Sequence, residues 1–384
     1  MIIGIPKEIY PGETRAAITP ALVSTLIKNH HKVLIEKGLG DGAFFQDDYY
    51  RENGAEIIAD AVDIYYQAEV IFKVQPPAIN AKLKKSEAEL IKEGAAWMGF
   101  LAPLQNKDAI KILMQRNILS FAMEFVPRIT RAQSMDALSS MASLAGYKAV
   151  LLAADHLHKI FPLMMTAAGT IPPATVLVLG AGVAGLQAIA TAKRLGANVE
   201  AFDPRPAVKE QVKSLGAGFV EMELPGENVE TDGGYAKEQS EAFLLKEREV
   251  IASRLSKADV IITTAQVFGK KAPLLITEEM IKLMHPGSVI IDLAAEQGGN
   301  CTLTKADTVV DKHGVFIHGA VNLPAKLPVN ASQMYAKNIV NLFLHIFQKP
   351  EPDFEDEITR GSCITHSGKV LNNLVLSAMK EEGK

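Results

Sequence analysis

The sequence predicts an α/β chain of two doubly wound, mostly parallel-sheet domains, the second inserted into the first. Three observations lead there. At 384 residues the chain exceeds what one ordinary core organises, and two domains of about 150–200 residues fit it. Short apolar runs alternate with helical patterns, the signature of parallel strands joined by helices on both faces. Near the C-terminal end, after the second set of strands, comes one more long helical pattern. It must lead back to the first domain if the second is an insertion.

The elements follow in order. Residues 2–5 read as a short apolar strand. Thr19-Pro20 starts a helix, with Thr as N-cap and Pro at the first helical position. Leu22, Val23, Leu26 and Ile27 then recur at helical spacing. The runs 32–36, 70–74, 96–101 and 118–123 read as strands, Gly38 and Pro76-Pro77 closing the first two. The second unit opens after a helical stretch at about 134–160. Its strands are expected at 176–179, 199–202, 260–263, 289–293 and 315–318, with helices at 186–195 and 278–284 between them. Gly196 and Pro286-Gly287 end those helices. After Pro324 and Pro328, a helix at 333–347 precedes a polar tail. The expected division is 1–138 with 328–384 for the first domain, and 139–327 for the second.

Composition narrows the function. An apolar share of 48% and a charged share of 22% fit a globular chain. A net charge of −4 speaks against nucleic-acid binding, which needs a basic patch. Cys301 and Cys363 have neither disulfide-framework nor zinc-site spacing, so a reducing compartment is expected. No H-E-x-x-H, G-x-S-x-G or P-loop occurs, and no metal site is expected. The opening MIIGIPKEIYPGETR lacks the features of a signal peptide. The stretch 160–192 has no charged residue, long enough for a membrane span. Pro172-Pro173 would break a helix there, and Gly169, Gly180, Gly182 and Gly185 interrupt it further, so no span is expected.

The sharpest local signal is TVLVLGAGVAGLQAIATAKRLGANVEAFD at 175–203. Gly180, Gly182 and Gly185 form G-x-G-x-x-G between a strand and a helix. Glycine there allows a tight turn, close approach to a pyrophosphate, and helix–strand contact. The helix start offers free N–H groups to phosphates. Asp203 falls roughly 20 residues on, where a carboxylate accepts both ribose hydroxyls and repels a 2′-phosphate. The expectation is a Rossmann-like domain binding NAD(H), tempered by the neighbouring Arg205.

A second signal is VPRITRAQSMDALSSMASLAGYKAV at 126–150, rich in polar side chains. On pattern alone it reads as a surface helix capped by Ser134. The segment resembles, however, the Arg-Gln-Asp loop in the NAD(H)-binding component of proton-translocating NAD(P) transhydrogenases. So do MTAAGTIPPA (165–174), GAGVAGLQAIATAKRLGA (180–197), TDGGYAKE (231–238), HPGSVIIDLA (285–294) and EQGGN (296–300). The resemblance spans essentially the whole chain.

The resemblance implies a soluble subunit transferring hydride between its NAD(H) and NADP(H) on a partner. It implies a homodimer at the cytoplasmic face of the inner membrane, docked to NADP(H)-binding and membrane-spanning subunits that carry the proton path. Arg128, Gln133 and Asp136 become the catalytic set. Arg128 would reach the pyrophosphate or carboxamide, and Gln133 the nicotinamide ribose and the second nucleotide. Asp136 and Ser139 would orient the carboxamide and Arg128. The implied nucleotide contacts also include Ser134, Met135, Gly180, Gly182, Val183, Gly185, Asp203, Pro204, Arg205, Ala265 and Val267. Gly234 and Tyr235 would belong to a mobile lid.

Alanine dehydrogenases form the alternative. Arg15 and Lys73 match their substrate-binding Arg and Lys. Imine chemistry needs an acid/base, yet Phe100 stands where those enzymes carry their histidine, and Glu296 where they carry an Asp. Arg15 and Lys73 are therefore expected to pair with nearby carboxylates.

Overall fold

The computed structural model describes residues 1–222, 240–349 and 351–381. It divides into two compact units, Met1–Met141 with Ala325–Lys384, and Ala142–Pro324.

The discontinuous unit carries an eight-stranded sheet. Its order is Lys369–Val370, Cys363–His366, Leu119–Ala122, Ala96–Gly99, Val70–Phe72, Ile2–Ile5, Lys32–Glu36 and Glu56–Ile58. The six strands from the N-terminal stretch run parallel. Strands buried on both faces read as continuous apolar runs, which is why Ile2–Ile5 and Val70–Phe72 are visible in sequence. Ile71, Trp97, Ile110 and Leu113 are fully buried in one of its clusters. Gly4 lets the helix Ala61–Gln67 approach this sheet, because a Cβ there would lie 2.6 Å from Ala68 Cβ and from Ile64 Cγ2.

The polar tail is an incorrect expectation. Cys363–His366 pairs antiparallel with Leu119–Ala122, and Cys363 and Ile364 are wholly buried. Ser120 Oγ and Thr365 Oγ1 lie 2.6 Å apart across that seam. A four-residue strand amid polar residues gives too short an apolar run to stand out.

The first helix starts as expected and two later ones do not. Thr19 holds the N-cap position with extended backbone, but its hydroxyl makes no capping bond; its carbonyl receives the Leu22 and Val23 amides. Ser134 is not the cap of the helix that follows it. Asp136 caps it instead, its Oδ1 accepting from Ser139 N at 2.8 Å and Oδ2 from Ser139 Oγ at 2.6 Å, and the helix runs Ala137–His156. The last long helix, Pro328–Ile346, starts at its proline, whose fixed φ and missing N–H suit the first turn.

The continuous unit has seven strands ordered Gly218–Phe219, Asn198–Phe202, Thr175–Leu179, Val260–Thr263, Val289–Asp292, Val315–Gly319 and Val309–Lys312. All pairs are parallel except the last. Alternate residues feed opposite faces: Val176 and Val178 meet Ala149, Val150, Ala153 and Ile189 on one side, Leu177 and Leu179 meet Ile251, Leu255 and Ile281 on the other. The order reverses direction between Thr175–Leu179 and Val260–Thr263, the switch point where open α/β sheets bind ligands at their carboxyl edge.

The uncharged stretch 160–192 is not one element. It holds the hairpin strands Met164–Thr166 and Gly169–Ile171, the strand Thr175–Leu179 and most of the helix Val183–Arg194. Among the described residues, one helix, Ala137–His156, is long and apolar enough to cross a membrane; its Ala149, Val150 and Ala153 belong to the core just described.

Candidate dinucleotide site

The glycine turn sits at the switch point. Gly180 adopts φ +97°, a left-handed conformation that favours glycine. Its carbonyl accepts from Thr264 Oγ1 at 3.0 Å. A Cβ on Gly185 would stand 1.8 Å from the Gly180 carbonyl oxygen, so the first turn of Val183–Arg194 lies directly against the loop. Gly182 differs: the nearest atom to a Cβ there is Arg205 Nη2 at 4.0 Å. Two glycines therefore make the turn close, and the third leaves a face open beside amides at the helix start. That is a cradle a pyrophosphate fits.

Asp203 follows the next strand and is buried. Its Oδ2 accepts from Ala181 N at 2.7 Å and Arg205 Nη2 at 2.8 Å. Its Oδ1 accepts from Arg205 N and Nε, both at 2.9 Å. The carboxylate ties the glycine loop to Arg205, and ribose hydroxyls would have to replace part of the guanidinium fork.

Asp292, Asn300 and Glu247 complete the surroundings, and sequence reading misses all three as site residues. Fully buried Asp292 accepts from Thr263 Oγ1, Thr304 Oγ1 and the amides of Ala294, Asn300 and Cys301. Asn300 Oδ1 in turn accepts from Ala265 N at 3.1 Å, and its Nδ2 donates to Ala265 O and Pro273 O. This chain of bonds holds Ala265 next to Thr264 and the glycine turn. An aspartate ending an otherwise apolar strand is the signal that could have found it.

Glu247 lies on the buried face of Glu241–Leu255, between Phe243 and Ile251. Burial, and then the charge of Asp203, push its carboxyl up to about 7, against the opposing pull of Arg248. The fold therefore favours the neutral form, while the unfolded chain ionises from the ordinary 4.5 upward. Stability contributed by the neutral acid is present below that value and is lost as pH rises towards 7. Glu247→Gln is expected to match the parent's stability near pH 4 and exceed it near pH 8 by up to about 3 kcal/mol. Urea midpoints at both pH values test this, and an equal offset at both would refute it.

The polar segment belongs to the other unit. Thr130–Met135 is a 3-10 helix with Ala132 and Met135 buried. Arg128, Gln133 and Ser134 are exposed, while Asp136 and Ser139 are half-buried and bonded to each other. Met135 thus turns its side chain inward. Pro204 and Val267 are half-buried near Asp203 and Ala265 in sequence. Gly234 and Tyr235 lie outside the described residues.

Comparison with known proteins shows the family. The N-terminal domain of the family described as "Alanine dehydrogenase/PNT" matches residues 4–145, and its C-terminal domain matches 149–373. The chain belongs to the alanine dehydrogenase/PNT family. Within that family it is 49% identical to a Rhodospirillum rubrum protein named as the first portion of NAD(P) transhydrogenase subunit alpha, over 97% of this chain and 98% of the relative. It is 33% identical to an alanine dehydrogenase of Methanococcus maripaludis, over 98% and 96%. The crystal structure of transhydrogenase from Sinorhizobium meliloti superposes with a TM-score of 0.86 at 41% identity, covering 96% and 100%.

Arg15 and Lys73 pair with carboxylates as expected. Arg15 donates through Nε and Nη2 to the two oxygens of Glu13, at 2.8 and 2.6 Å. Lys73 Nζ lies 2.8 Å from Glu87 and 3.4 Å from Glu8. Phe100 packs 5.5 Å from the Tyr335 ring. Glu296 accepts from Asn322 N at 3.2 Å.

Proposed function

We propose that this chain is the NAD(H)-binding subunit of a proton-translocating NAD(P) transhydrogenase. It passes hydride directly between its own NAD(H) and NADP(H) held by a partner subunit. The observation that carries this reading is the glycine turn at the switch point, closed by Gly180 and Gly185 and open at Gly182, in a chain whose stronger likeness is to transhydrogenase subunits.

Hydride passing between two nicotinamide rings exchanges no proton with solvent at the reacting carbons. The protein's tasks are to align the rings and exclude water. Arg128 and Gln133 are exposed and supply, respectively, a rigid donor fork and a paired donor and acceptor for the nicotinamide end. Asp136 orients Ser139 and caps its helix. Asp203, Arg205 and the loop at Ala265 take the adenosine end.

Exposed Leu163, Met164, Met165 and Ile171 gather on and beside one hairpin, Met165 being 76% exposed. An apolar patch of this kind marks a protein contact, which supports a homodimer. The proton path lies with membrane-spanning subunits, to which this chain is peripheral on the cytoplasmic side.

The alternative is an alanine dehydrogenase. Against it stand Phe100 at the histidine position and the engagement of Arg15 and Lys73 by Glu13, Glu8 and Glu87. The purified chain should quench or enhance NADH fluorescence yet leave NADH unoxidised with pyruvate and ammonium. Hydride should reach an NADP analogue once a transhydrogenase NADP(H)-binding domain is added. Steady turnover by the chain alone with a 2-oxo acid would overturn the proposal.

A further inference from the structure

The segment Thr130–Met135 is an unusual carrier for side chains that must be held still. It is six residues of 3-10 helix, longer than the three or four residues such helices usually reach. Its last carbonyls, like those of any helix end, lack partners within the helix. Ser134 O is one of them, and it is met from outside. Asn338 Nδ2 donates to it at 2.9 Å and Asn341 Nδ2 at 3.2 Å.

Both asparagines belong to Pro328–Ile346, where residues three apart share a face. Asn338 is 6% exposed in a row with buried Tyr335, Ile339 and Leu342. An apolar residue would suit that row better, since burying an amide costs free energy unless its bonds are made. Among the described residues, Asn338 Oδ1 has no hydrogen-bond partner. The side chain is therefore held at a disadvantage to the core, and the Ser134 carbonyl is the group it serves.

The rest of the segment is tethered on either side. Arg131 Nη2 reaches Asp356 Oδ1 at 3.1 Å, and Asp356 Oδ2 meets His345 Nε2 at 2.8 Å. Ala132 and Met135 are buried. Gln133 and Ser134, between those anchors, stay exposed. Fixing the Ser134 carbonyl fixes the peptide plane between Ser134 and Met135, and with it the backbone path from Gln133 to Asp136.

We propose that Asn338 and Asn341 are positioning residues that clamp the Ser134 carbonyl and so set the orientation of Gln133 and Asp136. The inference rests on the functional reading above for what those two residues do, but not for the clamp itself.

Two measurements on Asn338→Ala, Asn341→Ala and the double variant separate the two. Amide hydrogen exchange over 130–136 should accelerate by about tenfold or more in the double variant while exchange in the sheet strands stays unchanged. Unchanged exchange over 130–136 would overturn the clamp, whether or not the protein transfers hydride. In the complex with an NADP(H)-binding domain, kcat for hydride transfer should fall by about tenfold or more, with KM for NADH shifting by less than about threefold, because misplacement by an ångström is costly in rate. A merely structural loss would lower kcat in step with the folded fraction. An unaltered kcat beside accelerated exchange would overturn the positioning role. No transfer by the parent would instead sink the functional reading. If the double variant does not fold, Asn341→Ala at a half-buried position carries the same two readouts.

Discussion

Lys73→Met should destabilise the protein by about 3–5 kcal/mol, because it removes the cation between two buried carboxylates. Lys73 is wholly buried, and the side chains of Glu8 and Glu87 are 3% and 2% exposed. The ammonium donates to Glu87 at 2.8 Å and to the Lys7 carbonyl at 2.6 Å. The carboxylates keep other donors: Tyr65 Oη and Ala78 N for Glu87, and the amides of Val74 and Gln75 for Glu8. Those bonds preserve geometry but carry no full charge. Burial already raises the Glu8 carboxyl above its ordinary range, with Lys73 opposing and Glu87 adding to the rise. Without Lys73 the Glu8 carboxyl moves further up, so the variant's deficit should shrink as falling pH protonates it. Adding Glu87→Gln should recover part of the loss by removing one of the charges. Urea unfolding near neutral pH reads all three proteins, and a deficit below about 1 kcal/mol for Lys73→Met would show that the pair adds little.

Two single-methyl substitutions should divide binding from folding. In Gly185→Ala the new Cβ meets the Gly180 carbonyl oxygen at 1.8 Å, and that atom is backbone. Either the helix Val183–Arg194 or the turn must move, at a cost of about 1–3 kcal/mol, and NADH affinity should fall by about a hundredfold because the backbone donors leave their places. Gly182→Ala meets nothing nearer than 4.0 Å, so its stability should stay within about 0.5 kcal/mol of the parent. Its methyl group nonetheless occupies the open side of the cradle, and NADH should bind about tenfold or more weakly. Thermal unfolding and NADH fluorescence titration decide the matter. Parent-like NADH binding by Gly182→Ala would place the pyrophosphate elsewhere.

The legible parts of this chain are those with a strong local cause. Ile2–Ile5, Lys32–Glu36 and Val260–Thr263 can be read to the residue because buried parallel strands are continuous apolar runs. The glycine turn is legible because glycine spacing reports backbone geometry directly. Edge strands are not: Glu56–Ile58, Gly218–Phe219 and Val309–Lys312 are short and partly exposed, and Cys363–His366 draws its pairing from a strand far back in the sequence. Glu247 is hidden because LLKEREV reads as a solvated charged face, and only the packing of Phe243 and Ile251 turns that position inward. Arg15 and Lys73 are expected to find carboxylates, but which ones depends on loops that no periodicity describes. Asn338 and Asn341 are invisible for a related reason. Their partner is a carbonyl, and carbonyls leave no trace in a sequence.

The seam between Leu119–Ala122 and Cys363–His366 also has a consequence for biosynthesis. Ser120 and Thr365 are 245 residues apart, and the entire continuous unit, Ala142–Pro324, is translated between them. At about 5–20 residues per second, that interval is roughly 10–50 s. During it the nascent first sheet keeps an uncovered edge at Leu119–Ala122, a template for unwanted strand pairing. The inserted unit can fold meanwhile, drawing its own ends into a fixed geometry and shortening the loop that the last strand must close. The edge at Leu119–Ala122 is thus sealed only when Cys363–His366 arrives, late in a fold begun with the first strand.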